Sequence, residues 1–152
     1  MNKHQQEALN KIEESQSSHQ YDEYLLYGLT GSGKTEIYLQ ATEKALSQNQ
    51  GVIVLIPEIA LTGQSVKRFS ERFGNEIASL HSGMSLGEKR TSWKRVQKGE
   101  ANIVIGARSA LFAPVKNIGL IILDEEHEFT YKQEEFPRYH ARDVARERVR
   151  LE

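Results

Sequence analysis

The chain has 152 residues, 38% hydrophobic and 27% charged, enough for one domain with a real core and too few for a second full one. It carries no cysteine, which excludes a disulfide scaffold or a thiolate zinc site in this stretch. A formal net charge of −1 means that any contact with nucleic acid must be local, although Arg138, Arg142, Arg146, Arg148 and Arg150 give the C-terminal end a basic bias.

The N-terminal stretch, Met1 to Gln16, is polar and amphipathic and lacks the apolar run of a signal peptide. No apolar run approaches membrane-spanning length, so the expectation is a cytoplasmic protein with no membrane partner. A polar segment, Glu13–Gln20, reads as a surface loop between a first helix and a first strand at Tyr24–Tyr27. Further strands are expected at Val52–Ile56, Ile77–Leu80, Ile103–Ile105 and Ile118–Leu123. Between them, Thr35–Ser47, Ala60–Phe73 and Leu86–Lys98 space apolar residues at helical intervals. Strands alternating with helices predict an α/β fold, a mostly parallel sheet with helices on both faces. One domain is expected over residues 1–152, and the charged helical pattern at Ala141–Leu151 stops without a cap, as in a fragment of a longer protein.

Directly after the Tyr24–Tyr27 run, Gly28-Leu29-Thr30-Gly31-Ser32-Gly33-Lys34-Thr35 satisfies the G-x-x-x-x-G-K-[ST] phosphate loop. A glycine-rich turn is the plain alternative. In a phosphate loop the backbone N–H groups of Gly28, Thr30, Gly31, Ser32 and Gly33 curl around the phosphates of ATP. The start of the following helix then adds partial positive charge. Lys34 reaches the β and γ phosphates, and the Thr35 hydroxyl suits Mg²⁺, a cation that prefers oxygen ligands. The apolar run Ile118–Leu123 delivers Asp124-Glu125-Glu126-His127 at its tip. Asp124 would complete the Mg²⁺ shell and Glu125 would act as general base on the attacking water. The same acids could instead cap a helix N-terminus.

Pro57–Thr62, Gly106–Phe112 and Asp124–His127 follow the phosphate loop in the order of motifs Ia, Ib and II of superfamily 2 helicases. The wording resembles more closely the primosomal replication-restart helicases, whose first motor lobe carries GxTGSGKTE, PEIxLT, HSG, RSALFxP, DEEH and YKQ…RYHARD. Counterparts run from Gly28 to Asp143. The resemblance implies a RecA-like lobe, ATP-driven 3′-to-5′ unwinding of forked or single-stranded DNA, and a role in reloading the replicative helicase at stalled forks. It also implies a second helicase lobe in the same protein, other primosome proteins and single-strand binding protein as partners, and an adenine-reading role for Gln5. Thr62, Arg108 and Ser109 would track the DNA backbone, and backbone amides and hydroxyls at strand ends suit phosphates. His127, Tyr131, Lys132, Arg138, Tyr139, His140 and Arg142 would link DNA occupancy to the ATP site. Four aromatics in Phe129–Tyr139, interleaved with cations, can stack on bases. They could equally pack under the domain edge.

The family's N-terminal DNA-binding region, its zinc insertion and its second lobe with the arginine finger have no counterpart here, so an isolated lobe is expected not to unwind DNA. Lys89, Arg90, Lys94, Arg95 and Lys98 form a basic stripe, read as a solvated face because Glu88 and Glu100 interrupt it, and Trp93 on the same helix is read as core. Competing readings are another superfamily 2 motor, acting on RNA or translocating on duplex DNA, and a non-motor nucleotide-binding module.

Overall fold

The computed structural model describes residues 6–7, 9–11, 14, 32–56, 64–80 and 83–123, of which residues 32–34, 64, 65 and 108 are described in backbone only. In chain order the elements are α1 (Ser32–Ser47), β1 (Gly51–Leu55), α2 (Gln64–Phe73), a short 3-10 turn at Gly74–Glu76, β2 (Ile77–Leu80), α3 (Leu86–Gln97), β3 (Ile103–Gly106), a 3-10 segment at Arg108–Phe112, and β4 (Ile118–Leu123). The four strands form one sheet in the order β2-β3-β1-β4, and every pairing is parallel. The α/β expectation therefore holds. The strand expected at Tyr24–Tyr27 lies outside the described residues.

β1 (GVIVL) and β3 (IVIG) are buried along their whole length, because central parallel strands are covered on both faces and must be apolar on both. Side chains divide by alternation. Val52, Val54, Ile56, Ile103, Ile105 and Ile122 pack with Leu39 and Ala45 of α1 and Phe69 of α2. On the other face Ile53, Leu55, Ala78, Leu80 and Val104 pack with Val96 of α3 and with Ala110 and Leu111 of the second 3-10 segment. Helical residues near the N-terminus add Leu9, buried with Ile37 and Ala41 of α1. Burying each of the larger aliphatic or aromatic side chains is worth about 1.5–3 kcal/mol, so this two-sided core is what holds the sheet between its helices.

Local signals fix the boundaries. Ser85 accepts a hydrogen bond from the Glu88 backbone N–H while the Glu88 carboxylate accepts one from the Ser85 backbone N–H, a capping box that starts α3. At the start of β1 the turn is held by Asn49 (φ 59) and Asn117 (φ 51), both in the left-handed region that asparagine tolerates. The Asn117 side-chain amide donates to the Asn49 carbonyl at 2.9 Å, which pins the beginnings of β1 and β4 side by side. The register between them shifts at Gly51/Val52, one residue before the pairing settles into Val52↔Leu120 through Leu55↔Leu123.

The phosphate-loop helix and the strand-end loops

Register decides where the chemistry lies. Leu55 of β1 pairs with Gly106 of β3 and with Leu123 of β4, and Gly106 also pairs with Leu80 of β2. All four strands therefore end at one edge of the sheet. The chain leaves that edge into Pro57–Thr62 after β1, His81-Ser82 after β2, Ala107–Phe112 after β3 and Asp124 after β4. In open parallel sheets this carboxyl edge is where ligands bind.

α1, which begins within the candidate phosphate-loop sequence, starts at the same edge. A tight turn joins the helix to β1, with the Gln48 and Gln50 backbone N–H groups both donating to the Ala45 carbonyl at 3.0 Å. The helix thus runs antiparallel to β1, and its first turn faces the strand ends. It begins at Ser32, three residues earlier than the sequence pattern suggested, so Ser32, Gly33 and Lys34 belong to that turn. Their backbone N–H groups are the ones an α-helix leaves without internal partners. No acidic residue occupies this turn, as an anion site requires. Thr35 is buried to 4% exposure. Gly28, Thr30 and Gly31 lie outside the described residues, as do Gln5, Thr62, Asp124, Glu125, His127, Tyr131, Lys132, Arg138, Tyr139, His140 and Arg142. β4 ends at Leu123, the residue before Asp124 in the sequence.

The segment expected to meet nucleic acid after β3 is a 3-10 turn, Arg108–Phe112, entered through Ala107 and anchored by buried Ala110 and Leu111. The Ala110 backbone N–H donates to the Ala107 carbonyl at 2.9 Å and that of Ala113 to the Ala110 carbonyl at 3.1 Å. Ser109 is exposed, and so is Phe112 at 55%. Gly106 permits this turn. A β-carbon there would run into the Leu80 carbonyl oxygen and the Ala110 side chain, so only glycine lets β2, β3 and the turn close on one another.

Two features differ from expectation or were missed. Trp93 is not core: it is 37% exposed, and Val96 is the buried residue of α3. Near the end of α3, Arg95 turns away from the basic stripe to donate to the Ile77 carbonyl at 3.1 Å, while Arg90, Lys94 and Lys98 stay exposed as a solvated face should. The missed feature is a charged seam between α1 and α2. The Glu36 carboxylate accepts from the Gln40 side-chain amide at 2.9 Å and from the Arg68 guanidinium at 2.8 Å, and Arg72 lies 3.6 Å away. Arg72 also pairs with Glu43 at 3.0 Å. The Gln40 hydrogen bond, opposed by burial and aided by the charges of Arg72 and Arg68, holds the Glu36 carboxyl below its ordinary range. Glu36, Gln40 and Glu43 at intervals of four and three, facing Arg68 and Arg72 four apart, form a pattern readable in the sequence.

Among the described residues no helix is long and apolar enough to cross a membrane. Residues 1–149 match the family model described as Type III restriction enzyme, res subunit. Similar curated proteins include replication restart protein PriA of Bacillus subtilis strain 168, 54% identical over 95% of this chain and 18% of that protein. PriA of Chlamydia pneumoniae is 53% identical over 97% of the chain and 20% of that protein. PriA of Haemophilus influenzae is 53% identical over 82% of the chain and 17% of that protein. The chain thus spans about a fifth of the length of these relatives. Among solved structures the SWI2/SNF2 ATPase core domain of Sulfolobus solfataricus shows a partial likeness, with TM-score 0.42 and 10% identity over 81% of this chain and 37% of that one. By the match over nearly its whole length, the chain belongs to the family described as Type III restriction enzyme, res subunit, and within it is similar to one segment of replication restart protein PriA.

Proposed function

We propose that the chain is the ATP-binding lobe of an ATP-dependent 3′-to-5′ DNA helicase that acts in replication restart and primosome assembly at stalled forks. The observation that carries this reading is convergence at one sheet edge. The first turn of α1 with Lys34 and Thr35, the 3-10 turn after β3, and the end of β4 at Leu123 all lie there. The names of the similar proteins, all replication restart proteins, support the biological setting.

In this mechanism Gly28 to Gly33 present backbone N–H groups to the phosphates of ATP, and Lys34 makes a charge-assisted contact with the β and γ oxygens. Thr35 and Asp124 hold Mg²⁺, whose contribution is to neutralise charge on the transferred phosphoryl group. Glu125 accepts the proton of the attacking water. Gln5 reads adenine. Thr62, Arg108 and Ser109 hold the DNA backbone at the neighbouring loops. The segment containing His127, Tyr131, Lys132, Arg138, Tyr139, His140 and Arg142 senses the DNA and realigns Glu125. A second lobe of the same protein completes the site, and other primosome proteins with single-strand binding protein are the partners.

The test uses the full-length protein containing this chain. Lys34→Ala should abolish most Mg·ATP binding by calorimetry while the protein stays folded, because a contact to charged phosphate is lost. Glu125→Gln should bind ATP normally and turn over at least about 100-fold more slowly, the range of a lost general base. Normal ATP affinity in Lys34→Ala would remove the phosphate-loop assignment, and loss of binding in Glu125→Gln would make that residue a ligand rather than a base.

A further inference from the structure

The charged seam between α1 and α2 sits where two functional segments begin. Glu36 is the residue after Thr35, one turn along α1 from Ser32. Arg68 lies one turn into α2, the helix that starts at Gln64, two residues after Thr62. Arg68 and Glu36 meet at 2.8 Å although 32 residues separate them. Below the ionic contacts the helices share an apolar interface, with Leu39 of α1 and Phe69 of α2 in one buried cluster. Rotation of either helix must therefore shear both layers together.

Stability alone explains little of this arrangement. The side chains of Glu36, Arg68 and Arg72 are 30–33% exposed and that of Glu43 is 53% exposed, and exposed pairs contribute only about 0–1 kcal/mol. The geometry is nonetheless closely specified. Glu36 is held from three sides by Gln40, Arg68 and Arg72, and Arg72 is held in turn by Glu43. A carboxylate with its lone pairs so engaged has a fixed rotamer, and Arg68 offers a planar fork that loses little freedom on pairing.

The geometry points to Glu36 as a positioning residue that ties the turn carrying Lys34 and Thr35 to the helix launched by the Pro57–Thr62 loop, so that DNA held at that loop acts on the phosphate loop through the Glu36–Arg68 contact. This rests on the proposed assignment of that loop to DNA. It assigns to Glu36 and Arg68 a role in DNA stimulation rather than in ATP binding.

The experiment compares ATP hydrolysis by the full-length protein, with and without forked DNA, for Glu36→Ala, Arg68→Ala and the double variant. Each single variant is expected to keep KM for ATP and the DNA-free rate within about twofold. Each should lose about five- to tenfold in DNA-stimulated kcat, within the range that small misplacements of catalytic groups produce. The double variant is expected to be no worse than either single one, the signature of two residues acting as a unit. Full stimulation in the single variants would overturn the proposal. So would a parallel fall in basal and stimulated rates, or losses that multiply in the double variant. Absence of DNA stimulation in the unsubstituted protein would overturn the proposed function itself and the tie with it. Thermal unfolding checks integrity; if the alanine variants unfold, Glu36→Gln decides by the same split between basal and stimulated rates.

Discussion

A carboxylate held below its ordinary pKa by hydrogen bonds and cations stabilises the folded state only while it is ionised. Glu36 is such a group, with the Gln40 amide as the leading cause and Arg72 and Arg68 behind it. Because its folded pKa is depressed, its contribution is fully present above the unfolded value near 4.5 and is lost as pH falls through the lower folded value. Urea midpoints of the native protein and of Glu36→Gln should therefore differ most above about pH 5 and converge on acidification. A difference that stays constant down to about pH 3 would mean that the charge of Glu36 contributes nothing to folding. The effect is small in energy, since about a third of each partner is exposed, but its pH window is distinctive.

At the scale of elements, glycine decides how closely two strands and a turn can approach. The space around Gly106 is closed by backbone, the Leu80 carbonyl, and not by a flexible side-chain end that could step aside. Gly106→Ala should destabilise the protein by about 1–3 kcal/mol, the range for forced overpacking, measured as a shift in denaturant midpoint. It should also displace the turn that presents Ser109 and Arg108. A neutral substitution would show that β2 and β3 can separate without cost. The strands were legible because buried parallel strands are continuous apolar runs: Ile77–Leu80 and Ile118–Leu123 agree with expectation to the residue, β1 is shifted by one residue at both ends, and β3 runs one residue longer at its end. The early start of α1 was not legible, since Gly33 disfavours helix on propensity and only its place in the phosphate loop makes a helical turn there useful. Trp93 was misread because its spacing from Val96 fits one apolar stripe, yet α3 covers the sheet with its Val96 side and leaves the indole near the rim. The Glu36 seam escaped because a charge pattern on one helix acquires meaning only when another helix is known to lie beside it. Of the candidate site, the alternation of strands with helices implied a parallel sheet, but the spatial order β2-β3-β1-β4 depends on pairings between residues far apart in sequence.

At the scale of the whole molecule, the proposed function would have one sheet edge serve both ATP and DNA from a single lobe. Phosphoryl transfer in related systems needs charge stabilisation from a further cation, an arginine supplied by a neighbouring lobe or protein, worth about 10³–10⁵ in turnover. The chain covers about a fifth of its relatives, and under the proposed function that cation would come from a second lobe of the same protein. Alone, the 152-residue chain should bind nucleotide weakly, because the phosphate loop and Lys34 are present, and hydrolyse it negligibly even with forked DNA. The two properties separate cleanly in measurement: fluorescent nucleotide titration reads the first, and phosphate release with and without DNA reads the second. Lys34→Ala supplies the control for binding at the phosphate loop. If the isolated chain bound ATP and turned it over at a rate that DNA raises strongly, the catalytic charge would have to come from this lobe. The exposed arginine Arg90 and the C-terminal cluster from Arg138 to Arg150 would then be the groups to replace one by one. If it bound nucleotide without turnover, adding the remainder of the protein in trans should restore hydrolysis in proportion to assembly of the two lobes, since the missing cation then arrives with the partner surface.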